Sequence, residues 1–353
     1  MKRIGRVSVW VCVFALAILT VACGPKPTDE TPGGTAKGAA EIVLFVGSLS
    51  AQNAVDRRNG ILDELAGKPL PRPPAAAGGI QTPPMALKAG EKPRVAFVTN
   101  NASEFWRIAR AGYERALKEV DAEGEFRIPA AGTAAEQKAI LEDLVTKGIH
   151  GIAVSPVDPK NQTPTLNEIA SKAILICHDS DAPESHRVLY VGTNNYLAGR
   201  EAGKLIVEVL GPDREIKVVD TRTDNTDRAR AKSNVQDVLV SRPNVACLVG
   251  LWSYNGPAVG GVIRESSLQG KVQSVCFDEE RPTLQAIREG AIYATVVQKP
   301  YEFGYQSVKI LAALARGDKS VIPPNREVDT GVELVKKDTV DDFEKRLDAI
   351  LKQ

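Results

Sequence analysis

From residue 94 onward, short unbroken apolar runs alternate with segments of helical period. RVAFVTN is followed by FWRIARAGYERALKEV, in which Ile108, Gly112, Ala116 and Val120 fall on one row. FRIPA, a helix near 134–147, GIAVSP, a helix near 161–172, AILICHDS, LYVGTN and a helix near 196–210 continue the alternation. A strand that is apolar at every position must be buried on both faces. A parallel sheet with helices on each side provides that burial. Five such strands predict a first lobe over 94–212. EIKVVDT, NVACLVG, QSVCFD and YATVVQ, with helices near 228–240, 256–268, 281–289 and 302–315, predict a second lobe over 213–320. The fold class is therefore α/β, with two doubly wound parallel-sheet lobes joined by a hinge. Residues 321–353 read as a crossover back toward the first lobe that ends in a helix.

One segment stands apart. Residues 41–67, EIVLFVGSLSAQNAVDRRNGILDELAG, read as a strand, a loop and an amphipathic helix. A flexible tether (24–40) precedes them, and a Pro/Ala/Gly-rich linker (68–93) follows, whose prolines deny it helix and ladder bonds. The second lobe counts one βα unit fewer than the first, and leaving IVLFV exposed would invite aggregation. The unit is therefore expected to insert into the second lobe, which a linker of about 26 residues can reach.

The N-terminus is an address rather than fold. Lys2, Arg3 and Arg6 precede an apolar run, and Ala22 stands directly before Cys23. Residues 1–23 resemble a lipoprotein signal peptide, with Cys23 as the lipidated residue; Thr20 departs from the leucine usual there. Ordinary cleavage near Ala22, or an uncleaved anchor, are the alternatives. Each implies export, and the lipid implies a tether to a membrane in the periplasm or cell envelope. Cys177, Cys247 and Cys276 lie in apolar runs and read as buried thiols rather than a disulfide framework. The net charge is +1 with cations dispersed along the chain, so no basic patch points to nucleic acid.

At TNNASEFWRIARAGYERAL, VSPVDP, ICHDSDAPES, VGTNNYLAGREAG, GLWSYNGPA, CFDEERPTLQAIREG and VVQKPYEFGYQS, the chain resembles the bacterial periplasmic sugar-binding proteins of the ribose-binding type. The resemblance covers nearly everything from 94 to 335. It implies a type I periplasmic binding protein fold, a monosaccharide ligand, and an ABC permease and ATPase as partners of a monomer without cofactor or metal. FVGSLSAQNAVDRRNGILDEL is similar to the unit that opens the family's second lobe, here transposed to the N-terminus. Its strand, 42–47, is then expected in parallel between 216–220 and 246–250.

A sugar site needs aromatic plates beside carboxylates, amides and guanidinium groups, at the carboxyl ends of the strands. In the first lobe, Asn101, Ser103, Phe105 and Trp106 follow the first strand. The resemblance makes Phe105 and Trp106 a sandwich for the ring; packing of the helix start is the plainer alternative. Asp179, Ser180 and Asp181 follow the fourth strand. Asp179 matches the family's hydroxyl-binding aspartate, and Ser180 stands where an arginine is common. In the second lobe, Asn53 and Arg57 match ligand positions only through the transposition. Thr226, Trp252, Tyr254, Asp278 and Gln298 complete the set, with Asp224 beside them; helix capping is the alternative for Asp278.

Other functions fare worse. No phosphate-binding or nucleophile-elbow motif is present, and the 3 histidines form no constellation. The HDSD run at 178–181 holds no second histidine for a metal. A transcription regulator would need a helix-turn-helix where the export signal stands. An accessory of a membrane sensor or chemoreceptor is the main alternative to import; an α/β enzyme acting on a sugar is the distant one.

Overall fold

A computed structural model describes residues 38–49, 51–71, 87–88, 90–103 and 105–352. The signal segment with Cys23, nearly all of the tether and most of the 68–93 linker lie outside the described residues.

The described chain opens with β1 (Ala40–Val46) and α1 (Gln52–Leu65). Then come β2 (Arg94–Val98), α2 (Phe105–Glu119), β3 (Glu123–Arg127), α3 (Ala134–Thr146), β4 (Gly151–Val154), α4 (Pro159–Ala170), β5 (Ile174–His178) and β6 (Tyr190–Gly192). α5 (Asn195–Leu210) leads to β7 (Ile216–Thr223), α6 (Arg228–Ser241), β8 (Cys247–Gly250), α7 (Asn255–Glu265), β9 (Gln273–Phe277), α8 (Arg281–Arg288), β10 (Ala294–Val297) and α9 (Pro300–Ala315). The tail forms β11 (Glu327–Asp329), β12 (Glu333–Lys336) and α10 (Val340–Leu351). Two six-stranded sheets result, in the orders β3-β2-β4-β5-β6-β11 and β7-β1-β8-β9-β10-β12.

β1 lies inside the second sheet, where the transposition places it. It runs parallel to β7 from Ala40 opposite Ile216 to Val46 opposite Thr223, and parallel to β8 from Ile42 opposite Cys247 to Phe45 opposite Gly250. Ile42, Val43, Leu44, Phe45 and Val46 are buried, as an interior strand covered on both faces requires.

Two helices exchange lobes relative to the sequence reading. α5, expected with the first lobe, packs Ala198, Ala202, Leu205 and Ile206 against Ile42, Leu44 and Val249 of the second sheet. α9, expected with the second, packs Phe303, Val308 and Leu311 against Val95, Phe97 and Ile176 of the first. An apolar stripe shows that a helix buries one face, but it does not say on which sheet. The chain therefore crosses between lobes after β6 and again after β10. The tail crosses a third time: β11 adds to the first sheet beside β6, and β12 returns antiparallel to β10. α10 accordingly sits on the second lobe, with Val340, Phe343 and Leu347 in one cluster that also takes Ile108 of α2. β3 covers Glu123–Arg127 rather than FRIPA; it is the outer strand of its sheet, and Pro129 could not donate to a ladder.

α1 meets α5 at backbone contact. A Cβ added at Gly60 would stand 2.1 Å from the Tyr196 carbonyl oxygen, and one at Gly199 would stand 2.2 Å from that of Arg57. These glycines let two helices approach more closely than any side chain permits. Gly112 and Gly304 do the same between α2 and α9 in the other lobe. Gly199→Leu should lower stability by roughly 3 kcal/mol or more, because overpacking here confronts backbone rather than a flexible side chain. Gly261, on α7, faces open space, so Gly261→Ala should be neutral or gain up to about 1 kcal/mol. Thermal melts of both variants check this; an unchanged Gly199→Leu melt would mean that α1 is not seated on α5.

Candidate functional site

The carboxyl ends of both sheets face one cleft of about 410 Å³. Of the sequence-nominated residues, Asn53, Arg57, Asn101, Ser103, Phe105, Trp106, Asp179, Thr226, Trp252, Tyr254, Asp278 and Gln298 line it.

Two aspartates face each other from opposite lobes. Asp179 follows β5 and Asp278 follows β9, both in the left-handed backbone region (φ 56° and 66°). Each ends a matching tripeptide, Cys177-His178-Asp179 and Cys276-Phe277-Asp278. That internal echo is the sequence signal that could have paired them directly. Asp179 accepts from the Ser155 hydroxyl at 2.9 Å and from Asn100 Nδ2 at 3.4 Å. Burial nevertheless pushes its carboxyl up to about 6, and Asp278 adds to the rise. Asp278 accepts from Gln298 Nε2 at 3.0 Å, and burial raises it too, against the pull of Arg57.

Arg57 comes from the transposed helix and is 2% exposed. Its Nε donates to Asn195 Oδ1 at 2.8 Å and its Nη1 to the Leu251 carbonyl at 2.6 Å. Nη1 also stands 3.8 Å from Asp278 Oδ2, and the guanidinium lies 4.5 Å above the Phe277 ring. One cation thus touches the first crossing at Asn195, the end of β8 and the cleft aspartate.

β1 contributes shape as well. A Cβ on Gly47 would stand 2.0 Å from the Trp252 ring, so only a glycine leaves room for that ring over the strand end. Asp224 is buried and fixes the neighbourhood. It accepts from the Tyr254 hydroxyl at 2.5 Å, from Asn255 Nδ2 at 3.1 Å and from the Thr226 amide at 2.9 Å. The Tyr254 hydroxyl proton is committed to Asp224, which leaves its oxygen as an acceptor.

Several expectations need correction. Ser180 and Asp181 do not face the cleft. They line a neighbouring cavity of about 270 Å³ on the side of the first crossing, and Asp181 is paired with Arg187 Nη2 at 2.6 Å. The left-handed turn at Asp179 swings the following residues away. Phe105 and Trp106 meet at 88° with centroids 4.9 Å apart, so they do not form a parallel-faced sandwich. Trp106 is mostly core, with Nε1 donating to Asn101 Oδ1 at 3.2 Å. His178 stacks on Phe97 at 3.8 Å, its Nε2 lies 3.1 Å from the Val98 carbonyl, and burial lowers it to about 3. It is therefore neutral, with the Nε2 proton on that carbonyl. Among the described residues no group of three or more His, Cys, Asp or Glu is placed to hold a metal. The sequence reading omitted Arg228, Ser253 and Glu280, which also line the cleft, as does Asn100.

Four polar atoms on the cleft's residues are buried without a partner among the described residues: Asn53 Oδ1, Asn100 Oδ1, Trp252 Nε1 and Gln298 Oε1. Such atoms cost free energy unless water or a ligand completes them. Three are acceptors and one is a donor. With two carboxylates and a guanidinium beside them, they match a ligand whose groups both donate and accept, as hydroxyls do.

Known proteins resemble this chain in sequence and fold. The periplasmic binding protein domain family matches residues 95–219 and 206–319, beginning after the linker that follows the transposed unit. The D-allose-binding periplasmic protein of Escherichia coli (strain K12) is 22% identical over 261 residues, covering 63% of this chain and 84% of that protein. A solute-binding protein of Burkholderia graminis, solved with D-arabinose, superposes with a TM-score of 0.63 at 27% identity, over 72% of this chain and 98% of that one. GanP, a glucose-galactose binding protein of Geobacillus stearothermophilus, gives 0.64 at 25% identity, over 70% and 98%.

The raised Asp179 carboxyl has a measurable consequence. Its folded value of about 6 exceeds its ordinary 3.8, so its contribution to stability is fully present below pH 4 and is lost as pH rises through about 6. At neutral pH the loss amounts to roughly 3 kcal/mol at most. Ligand-free melting temperatures from pH 4.5 to 7.5 should rise more steeply toward acid in the wild type than in Asp179→Asn. Parallel profiles would show that Asp179 does not titrate in this window.

Proposed function

The chain belongs to the periplasmic binding protein family, and from that premise we propose that it captures a monosaccharide or similar small polyhydroxylated ligand between its lobes and delivers it to an ABC importer. The observation that carries this is the set of unpartnered buried polar atoms on residues that line the cleft with Asp179, Asp278 and Arg57. Sugar hydroxyls satisfy acceptors and donors together, and charge-assisted bonds to carboxylate and guanidinium are the strong ones among them. The Phe105 and Trp252 rings offer surface to the sugar's C–H faces from opposite lobes. Relatives named for allose, arabinose, and glucose and galactose support the sugar class.

Asp179 and Asp278 accept ring hydroxyls from opposite lobes, so ligand binding draws the lobes together. Arg57 orients Asp278 and donates to the ligand's oxygen. Gln298 and Asn100, each already bonded to one aspartate, present their free carbonyl oxygens to further hydroxyls. Binding and release suffice for this role, with no bond made or broken. The protein works in the periplasm or cell envelope, held to a membrane by a lipid on Cys23 and the tether that follows.

A thermal-shift screen of the protein against pentoses, hexoses, deoxysugars and polyols tests the reading. A ligand at about 100 times its Kd adds roughly 2.7 kcal/mol to the folded state, so one sugar should raise the melting temperature by roughly 5 °C or more. Asp278→Asn should lose most of that shift. A cooperative melt that no member of the panel moves would sink the assignment.

A further inference from the structure

Beside the cleft, past Phe105, lies an outer cavity of about 440 Å³. Ser103, Phe105, Arg228, Ser253 and Glu280 line both spaces, so the two adjoin. The cleft alone already has the volume of a complete small-molecule site, which starts at about 300 Å³. A sugar ring does not need the outer cavity.

The outer wall is chemically unlike the cleft. Ile108 on α2, Pro282 on α8 and Leu347 and Leu351 on α10 give it an apolar stretch with contributions from both lobes, bordered by charged residues that include Arg107, Glu279 and Glu280. Two of its guanidiniums are engaged within the protein. Arg228 donates to both carboxylate oxygens of Glu280 at 2.8 and 3.0 Å, and Arg281 pairs with Glu344 at 2.6 Å and with Asp348. Glu279 is buried there (8% exposed), and burial together with neighbouring Asp278 favours its neutral form. A phosphate would compete with these internal ion pairs. A second sugar would turn part of its hydroxyls onto leucine and isoleucine, which cannot bond them. An uncharged apolar group, by contrast, gains by leaving water.

We propose that the natural ligand is a glycoside, whose sugar ring fills the cleft and whose apolar, uncharged aglycone passes the Phe105 ring into the outer cavity. This rests on the sugar-binding reading above and extends it to a substrate class. Phe105 then serves two parts of one ligand, and α10 becomes a specificity element contributed by the tail.

Titration calorimetry on the full chain tests it with D-ribose, D-allose, D-arabinose, D-glucose and D-galactose, each free and as its phenyl glycoside. Burying about 60 Å² of phenyl surface at roughly 25 cal/mol per Å² corresponds to about tenfold tighter binding. The phenyl glycoside of the sugar that binds should therefore bind at least tenfold more tightly than the free sugar. Leu351→Trp, which narrows only the outer cavity, should abolish that gain and leave free-sugar affinity within twofold. Equal or weaker binding of every phenyl glycoside, with a free sugar still binding, overturns the glycoside proposal and leaves the sugar assignment standing. So does a gain that Leu351→Trp leaves intact. If neither free sugars nor glycosides bind, the sugar assignment falls and the glycoside with it.

Discussion

A single buried cation organises the cleft. Arg57 is fully desolvated, and an unpaired guanidinium in that place would cost several kcal/mol. It is held because three elements answer it: Asn195 at the first crossing, the Leu251 carbonyl at the end of β8, and Asp278 after β9. The Phe277 ring adds a face for the guanidinium to lie on. Each partner is fixed by its own strand or helix, so the arginine reports the correct assembly of the second lobe. It can do so only if α1 is docked, and α1 docks only because Gly60 and Gly199 let two helix backbones touch. The geometry of the cleft therefore depends on a segment that stands apart in sequence from the rest of its lobe.

The transposition changes connectivity while preserving geometry. A parallel interior strand makes its ladder bonds to both neighbours whichever way the chain arrives. β1 fills the gap between β7 and β8 with five consecutive buried residues, and Gly47 at its end leaves room for the Trp252 ring. What changes is entropy: the unit must be recruited across the linker, a closure cost that grows only slowly with length. A long interface on α5 and two full strand pairings outweigh such a cost.

The parts of this fold that were legible in the sequence are those with a strong local signal. Apolar runs such as IVLFV and AILIC announced interior strands, and the count of βα units located the orphan. What escaped was direction. Adjacent residues on a helix point about 100° apart, so Phe105 and Trp106, both in the first turn of α2, could not offer parallel plates whatever their spacing suggested. Asp181 lies two residues beyond a left-handed turn that linear proximity cannot reveal. β11 and β12, three and four residues long and largely half-exposed, carry no apolar run to find. The lobe exchange of α5 and α9 was invisible because an amphipathic stripe encodes burial without naming the partner.

On the proposed sugar-binding reading, the two aspartates give such a cleft a reason to respond to a ligand. Asp179 and Asp278 belong to different lobes, and each is raised by burial. Each charge also disfavours the other, while one guanidinium serves both. Bringing the lobes together without ligand concentrates like charge in a space that excludes water. A ligand whose hydroxyls donate to both carboxylates reverses that balance, because it contacts the closed arrangement through two lobes and the open one through only one. A conformational equilibrium shifts by the difference in those contacts and by nothing else. The same electrostatic cost that burdens the empty cleft thus makes closure conditional on a hydrogen-bond donor arriving between the lobes.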